Sequence, residues 1–199
     1  MMTMRVIKLR TDDFDEAFYG NALRFLEPCK RDRALRYRNE CDRKSCILGD
    51  HALRQLVSEI SGCPCEDVRI SADDKGCPFV LAPDDTRLYC SVSHSGIYVA
   101  AAVSDAPVGI DIEKIEKPDM ELAGRICTAD ELKLLEDNAD KGFCRIWTVK
   151  EAYLKCIGTG ITDISDLQAV DSTDLPAGYT GSIDEDISGY IVTLVTRDR

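Results

Sequence analysis

Histidine and tryptophan are scarce in this chain of 199 residues, which has His51 and His94 and a single tryptophan, Trp147. Two histidines without a pair of Cys-x-x-Cys spacings make a zinc site improbable, although there are ten cysteines. Cys63-Pro64-Cys65 has the wrong spacing for a thioredoxin-like redox pair. No run of eighteen apolar residues occurs, and Met1 to Arg10 lacks the apolar stretch of a signal peptide. The expectation is therefore a cytoplasmic protein whose cysteines are reduced and serve largely as small core residues. Glycine (13) and proline (7) are too few for disorder or a fibrous repeat. Net positive charge is also lacking: 25 Lys+Arg against 36 Asp+Glu give −11, which argues against a nucleic-acid coat or a binder of anionic membranes.

What is present is a chain 44% hydrophobic and 31% charged, long enough for one large or two small domains. Apolar residues at Cys46, Leu53, Leu56, Val57 and Ile60 predict an amphipathic helix over 42–60, ended by Gly62 and Pro64. Strands are predicted at 88–92, 97–103 and 108–113, with a turn at Ser93–Gly96 and turn chemistry between short extended pieces over 71–83. Beyond a break near residue 105, helices are predicted at about 128–137 and 143–157, and strands near 166–170 and 189–196. Strands and helices mix without a regular alternation, so the fold class is α+β, divided into halves at 1–105 and 106–199.

Four segments carry chemistry. In Gly109-Ile110-Asp111-Ile112-Glu113, strand alternation puts Asp111 and Glu113 on one face, about 7 Å apart. Two such carboxylates can converge on a hard divalent cation, or simply form the acidic face of a half-exposed strand. In Trp147 to Lys155, helical spacing aligns Trp147, Glu151 and Lys155 with Lys150 beside them, so that Glu151 could complete a carboxylate triad and the lysines hold phosphate oxygens. An ordinary surface Glu–Lys pair fits the same spacing. Ser91 to Gly96 surrounds His94 with hydroxyls, suiting an anion at Ser93 and His94 or plain turn capping. A serine hydrolase is disfavoured, since there is no Gly-x-Ser-x-Gly elbow. Residues 30–44 hold seven basic and three acidic side chains, either a solvated helix face or an address for a compact polyanion. Thr128 to Glu131 fits a helix capping box, which accounts for Glu131 without catalysis.

In this order the segments resemble the surfactin-synthetase-activating (Sfp-type) 4'-phosphopantetheinyl transferases, whose markers are a Gly-x-Asp-x-Glu strand, a Trp-x-x-Lys-Glu-x-x-x-Lys helix and a Ser-His-Ser element. The resemblance spans roughly residues 25–165. It implies a monomer of two similar α+β halves related by a pseudo-twofold axis, with the active site between them. It implies transfer of the phosphopantetheine arm of coenzyme A to a serine of an apo acyl or peptidyl carrier protein, releasing 3',5'-ADP, in fatty-acid, polyketide or nonribosomal peptide synthesis. By the same resemblance Asp111, Glu113 and Glu151 hold Mg²⁺, Glu151 is the base, Lys155 neutralises the departing phosphate and Lys150 assists. Lys30, Arg33, Ser93, His94 and Lys155 contact coenzyme A.

Two positions depart from the family pattern. Gly76-Cys77-Pro78 stands where Gly-Lys-Pro is usual, leaving Lys75 as a substitute, and Ser45 stands where a basic residue is common, with Arg43 or Lys44 nearby. A coenzyme A or carrier-binding module without turnover and a metal-dependent nucleotide pyrophosphohydrolase are the alternatives. The intact acidic and lysine set argues against the first, and the second leaves the other motifs without a purpose.

Overall fold

In a computed structural model, which describes residues 4–73, 77–82 and 84–198, the chain forms two units, Met1–Asp105 and Ala106–Arg199. The first begins with strand β1 (Met4–Arg10), followed by helices α1 (Glu16–Ala22), α2 (Pro28–Arg36) and α3 (Glu40–Ser61). Strands β2 (Arg69–Ala72), β3 (Pro78–Leu81), β4 (Arg87–Ser95) and β5 (Tyr98–Ser104) complete an antiparallel sheet ordered β1-β5-β4-β3-β2.

The long helix of this unit has chemical boundaries. Asn39 caps α3 by accepting from the Cys41 N–H, and Gly62 ends it in the left-handed conformation at φ 73°. Its apolar stripe of Ala52, Leu53, Leu56 and Val57 packs on Val80, Leu88, Cys90, Ala101 and Val103 of the sheet. A buried ionic group ties down the same helix. Asp50, only 1% exposed, accepts from Arg54 Nε at 2.6 Å and Lys30 Nζ at 3.1 Å. Arg54 also donates to the carbonyls of Phe25 at 2.7 Å and Val68 at 2.5 Å, so one guanidinium ties α3 to the segments that precede α2 and β2.

The second unit starts with strand β6 (Val108–Lys114), continues through helices α4 (Met120–Ile126), α5 (Ala129–Lys133), α6 (Ala139–Ile157) and α7 (Ile164–Gln168), and ends with strands β7 (Tyr179–Asp184) and β8 (Tyr190–Arg197). Its antiparallel sheet is ordered β6-β8-β7, three strands against five in the first unit. Apolar residues of α4, α6 and α7, among them Ala123, Ile126, Ile146, Leu154 and Leu167, form the core on the far side of α6.

The chain is thus α+β, each unit having one long helix across an antiparallel sheet. Three local expectations are corrected. The segment expected as a strand near 166–170 is the helix α7, because Asp163 and Asp166 build a capping box at its start. The helix expected over 128–137 is the five-residue α5. The turn expected at Ser93–Gly96 begins later, since β4 runs through Ser95 and Gly96 takes the positive φ of 56°.

Candidate functional site

Three parallel rows of side chains on α6 define what that helix does. Cys144, Thr148, Ala152 and Cys156, four apart, lie toward the sheet. Cys144 Sγ donates to the Glu113 carbonyl at 3.6 Å, Thr148 meets Thr193, and Ala152 and Cys156 cluster with Val195. The approach is so close that a Cβ on Gly109 would lie 1.9 Å from the Ala152 oxygen and 2.5 Å from the Cys156 nitrogen. Both are backbone atoms of α6, so glycine at 109 lets the helix seat directly on β6.

That seating brings the second row against the strand. Lys155 Nζ donates to Asp111 Oδ1 at 2.5 Å and lies 3.3 Å from Glu151 Oε2. Asp111 is 1% exposed, and the Lys155 side chain retains 26% exposure. Burial works against the charge on Lys155, but attraction to Asp111 and Glu151 with their hydrogen bonds outweighs it and raises its pKa. Asp111, Glu151 and Lys155 are therefore gathered in one place. Glu113 and Trp147 line a neighbouring cavity of about 230 Å³ together with Leu122, Phe143 and Cys144.

Oxygen donors from carboxylates suit a hard divalent cation. Among the described residues no three His, Cys, Asp or Glu side chains are grouped so as to hold a metal ion. Asp111 and Glu151 already share one cation, the Lys155 ammonium, so the donor type and charge of this pair fit Mg²⁺.

The third row corrects the expectation for Lys150. Its side chain is fully buried, and Nζ reaches the carbonyls of Ile126 at 3.0 Å, Leu167 at 3.0 Å and Val170, with Glu131 Oε2 at 2.9 Å. An ammonium has three hydrogens and these acceptors exhaust them, so Lys150 is not beside Lys155 as a phosphate contact. Glu131 does more than the capping expected of it. Besides the Thr128 N–H at 2.7 Å it accepts from the Ser172 N–H at 2.7 Å, so the Lys150–Glu131 pair ties α5 and α6 to the segment after α7. The box Thr128-x-x-Glu131 was the visible signal, but the partner Lys150 lies nineteen positions on and had none.

The remaining candidates lie in the first unit. Lys30 is partly exposed and bonded to Asp50, while Arg33 is exposed on α2. Ser93 is buried and His94 exposed, because neighbouring strand residues face opposite ways. Lys44 pairs with Glu16 and Glu40, each at 2.7 Å, and Ser45 is 1% exposed. Lys75 lies outside the described residues. Asp50 and Arg54, which sequence reasoning missed, form an i, i+4 pair that reads in the sequence as an ordinary helical one.

A strand glycine that admits a helix, an Asp and a Glu beyond it on the same face, and a Glu–Lys row facing them agree with what sequence comparison finds. The model of the 4'-phosphopantetheinyl transferase superfamily matches residues 107–188, and that of the 4'-phosphopantetheinyl transferase N-terminal region matches residues 15–106. The chain belongs to this superfamily, and by family it is a 4'-phosphopantetheinyl transferase.

Among its relatives is the 4'-phosphopantetheinyl transferase psf-1 of Bacillus pumilus, 32% identical over 167 residues, 80% of this chain and 71% of that protein. The 4'-phosphopantetheinyl transferase Sfp of Bacillus subtilis (strain 168) is 31% identical over 142 residues, 69% of this chain and 62% of its own. The L-aminoadipate-semialdehyde dehydrogenase-phosphopantetheinyl transferase of Mus musculus is 31% identical over 157 residues, 70% of this chain and 50% of its own. The matches thus span from half to about seven tenths of these relatives' lengths.

Proposed function

We propose that the chain moves the phosphopantetheine arm of coenzyme A onto a serine hydroxyl of an apo acyl or peptidyl carrier protein, with Asp111, Glu113, Glu151 and Lys155 as the reacting set. The observation that carries this reading is the meeting of Lys155 with both Asp111 and Glu151 on one side of α6. In the transfer, the serine oxygen bonds to the phosphorus carrying the pantetheine arm, the bond from that phosphorus to the bridging oxygen breaks, and 3',5'-ADP leaves. Glu151 accepts the serine proton, directly or through water. Lys155 has its pKa raised and is charged at neutral pH, so it neutralises the negative charge on the departing phosphate. Asp111 and Glu151, the pair that shares the Lys155 ammonium, would hold Mg²⁺, which when bound supplies charge neutralisation at the pyrophosphate, and Glu113, which is not grouped with them in the structure, is the proposed third ligand. Lys30, Arg33, Ser93, His94 and Lys75 are the proposed contacts to coenzyme A.

The carriers proposed are those of fatty-acid, polyketide or nonribosomal peptide synthesis. Ten free cysteines support a reducing, cytoplasmic setting. Among the described residues no helix is long and apolar enough to cross a membrane. A monomer is the proposed state, and neither nucleic acid nor membrane is a proposed partner.

The test is to incubate the protein with coenzyme A, Mg²⁺ and an apo carrier and weigh the carrier intact. One added phosphopantetheinyl group is expected, and Glu151→Gln abolishes it while leaving the thermal unfolding midpoint in place. Coenzyme A cleaved without a carrier would point instead to a pyrophosphohydrolase, and intact coenzyme A with an unchanged carrier to a binding module.

A further inference from the structure

The sheet-facing row of α6 is linked to the sheet by the long thiol contact of Cys144 to the Glu113 carbonyl at 3.6 Å and by a short contact between hydroxyls. Thr148 Oγ1 and Thr193 Oγ1 are 2.8 Å apart, and both residues are fully buried. Thr148 Oγ1 also donates to the Arg145 carbonyl at 3.1 Å. A hydroxyl has one hydrogen, so the arrangement that satisfies both contacts has Thr193 donating to Thr148. Thr193 is the register partner of Asp111 across β6 and β8, and directly opposed residues in an antiparallel pair share a face. The link from helix to sheet is therefore made beside the carboxylate that Lys155 must reach.

Helical geometry connects the two points. Thr148 and Lys155 are seven residues apart, and seven residues of α-helix fall only about 20° short of two full turns. A constraint on the azimuth of Thr148 is thus a constraint on that of Lys155. The glycine contact at Ala152 and Cys156 fixes how near the helix comes, but backbone atoms pressed against a strand do not by themselves select its rotation. The directional hydroxyl bond does.

Resting on the proposed transfer reaction, we propose that Thr148 and Thr193 are positioning residues: their buried hydroxyl bridge sets the rotation of α6 and so the meeting of Lys155 and Glu151 with Asp111. Their proposed action is through the placement of α6. Displacements of about 1 Å at a reacting centre can cost about 100-fold in rate, so a lost bridge is expected to lower kcat about 10- to 100-fold.

The experiment compares Thr193→Val, Thr193→Ser, Thr148→Ala, Thr148→Ser and the Thr193→Val/Thr148→Ala double variant in the carrier assay, with kcat expressed per folded molecule and thermal midpoints measured alongside. Thr193→Val and Thr148→Ala are expected to lower kcat with KM for coenzyme A within about twofold, while each serine variant restores kcat. The double variant should be no slower than the slower single one, because either change breaks the same bond. If a valine or alanine variant does not fold, its serine counterpart still decides, since it must retain wild-type kcat. A normal kcat in the variants without the hydroxyl, failure of serine to rescue, or multiplying losses in the double variant would overturn the positioning role while leaving the transferase reading standing. Absence of transfer by the wild-type protein with every carrier tried would overturn both.

Discussion

Replacing Lys150 by methionine removes the charge and keeps much of the length and volume of the side chain. In the wild type Lys150 serves Glu131 and three backbone carbonyls, with no exposure at either side chain of the pair. Breaking a buried ion pair by removing one partner costs about 3–5 kcal/mol. Glu131 keeps its bonds from the Thr128 and Ser172 N–H groups, which places the pair loss toward the lower end. The carbonyls of Ile126, Leu167 and Val170 lose a donor, at about 1 kcal/mol or more for each that water cannot reach. The expected loss is about 4 kcal/mol, a large part of the 5–15 kcal/mol typical of a folded protein. At a urea slope of about 2 kcal/mol/M the midpoint falls by about 2 M. Adding Glu131→Gln to Lys150→Met should cost less than the two single losses together, since it removes the stranded charge.

Acid provides the control. Burial pushes the Glu131 carboxyl upward, but the bonds from Ser172 and Thr128 and the link to Lys150 hold its pKa below the ordinary 4.5. A depressed folded pKa gives stability that is present above the unfolded value and lost as pH falls through the folded one. The gap between wild type and Lys150→Met should therefore narrow as pH is lowered through that window. A Lys150→Met variant within about 1 kcal/mol of wild type at pH 7, yet unable to transfer, would refute the reasoning and return Lys150 to the phosphate.

Gly109→Ala puts a methyl 1.9 Å from the Ala152 oxygen, so α6 must move; a loss of about 3 kcal/mol and of transfer is expected, read by urea unfolding and the carrier assay. Arg33→Ala, at an exposed position, should raise KM for coenzyme A and leave the thermal midpoint unchanged, whereas Lys30→Ala should also lower the midpoint because it removes a partner of the buried Asp50. Equal stability loss in both would show that Lys30 is not tied to Asp50. Burial pushes the Cys90 and Cys144 thiols to about 12 and those of Cys127 and Cys156 to about 11. At pH 8 a disulfide reagent should label the exposed Cys29 rapidly and these four only on unfolding, and rapid labelling of all ten in the native protein would contradict the packing.

The sequence made some of this legible for reasons that are local. Alternation along Val108–Glu113 fixes which carboxylates share a face, and the helix caps made by Asn39, Gly62 and the Thr128–Glu131 box lie within a turn of the residues that make them. The α7 helix differs from the expected strand because a short apolar run has no period to tell the two apart, and its helical signal is the cap at Asp163 and Asp166. The fate of Lys150 was hidden for another reason. Its acceptors come from Ile126, Glu131, Leu167 and Val170, on separate elements that only folding assembles. Thr193 is equally silent, since its meaning depends on its register opposite Asp111.

Lys150 and Lys155 show why residue type at a motif position does not settle a role. Five residues of α-helix turn the chain by about 500°, so the two ammonium groups leave opposite flanks of α6. Each meets glutamate, at 2.9 Å for Lys150 with Glu131 and 3.3 Å for Lys155 with Glu151. They differ in what else is within reach. Lys150 has all its hydrogens engaged and no exposure, so exchanging a partner would leave a buried carbonyl or carboxylate stranded. Lys155 keeps 26% exposure, and an incoming phosphate could take its ammonium from Asp111 or Glu151 without opening the core. A charge that must follow the departure of a phosphate has to be one that can change partners, and on this helix that criterion selects Lys155.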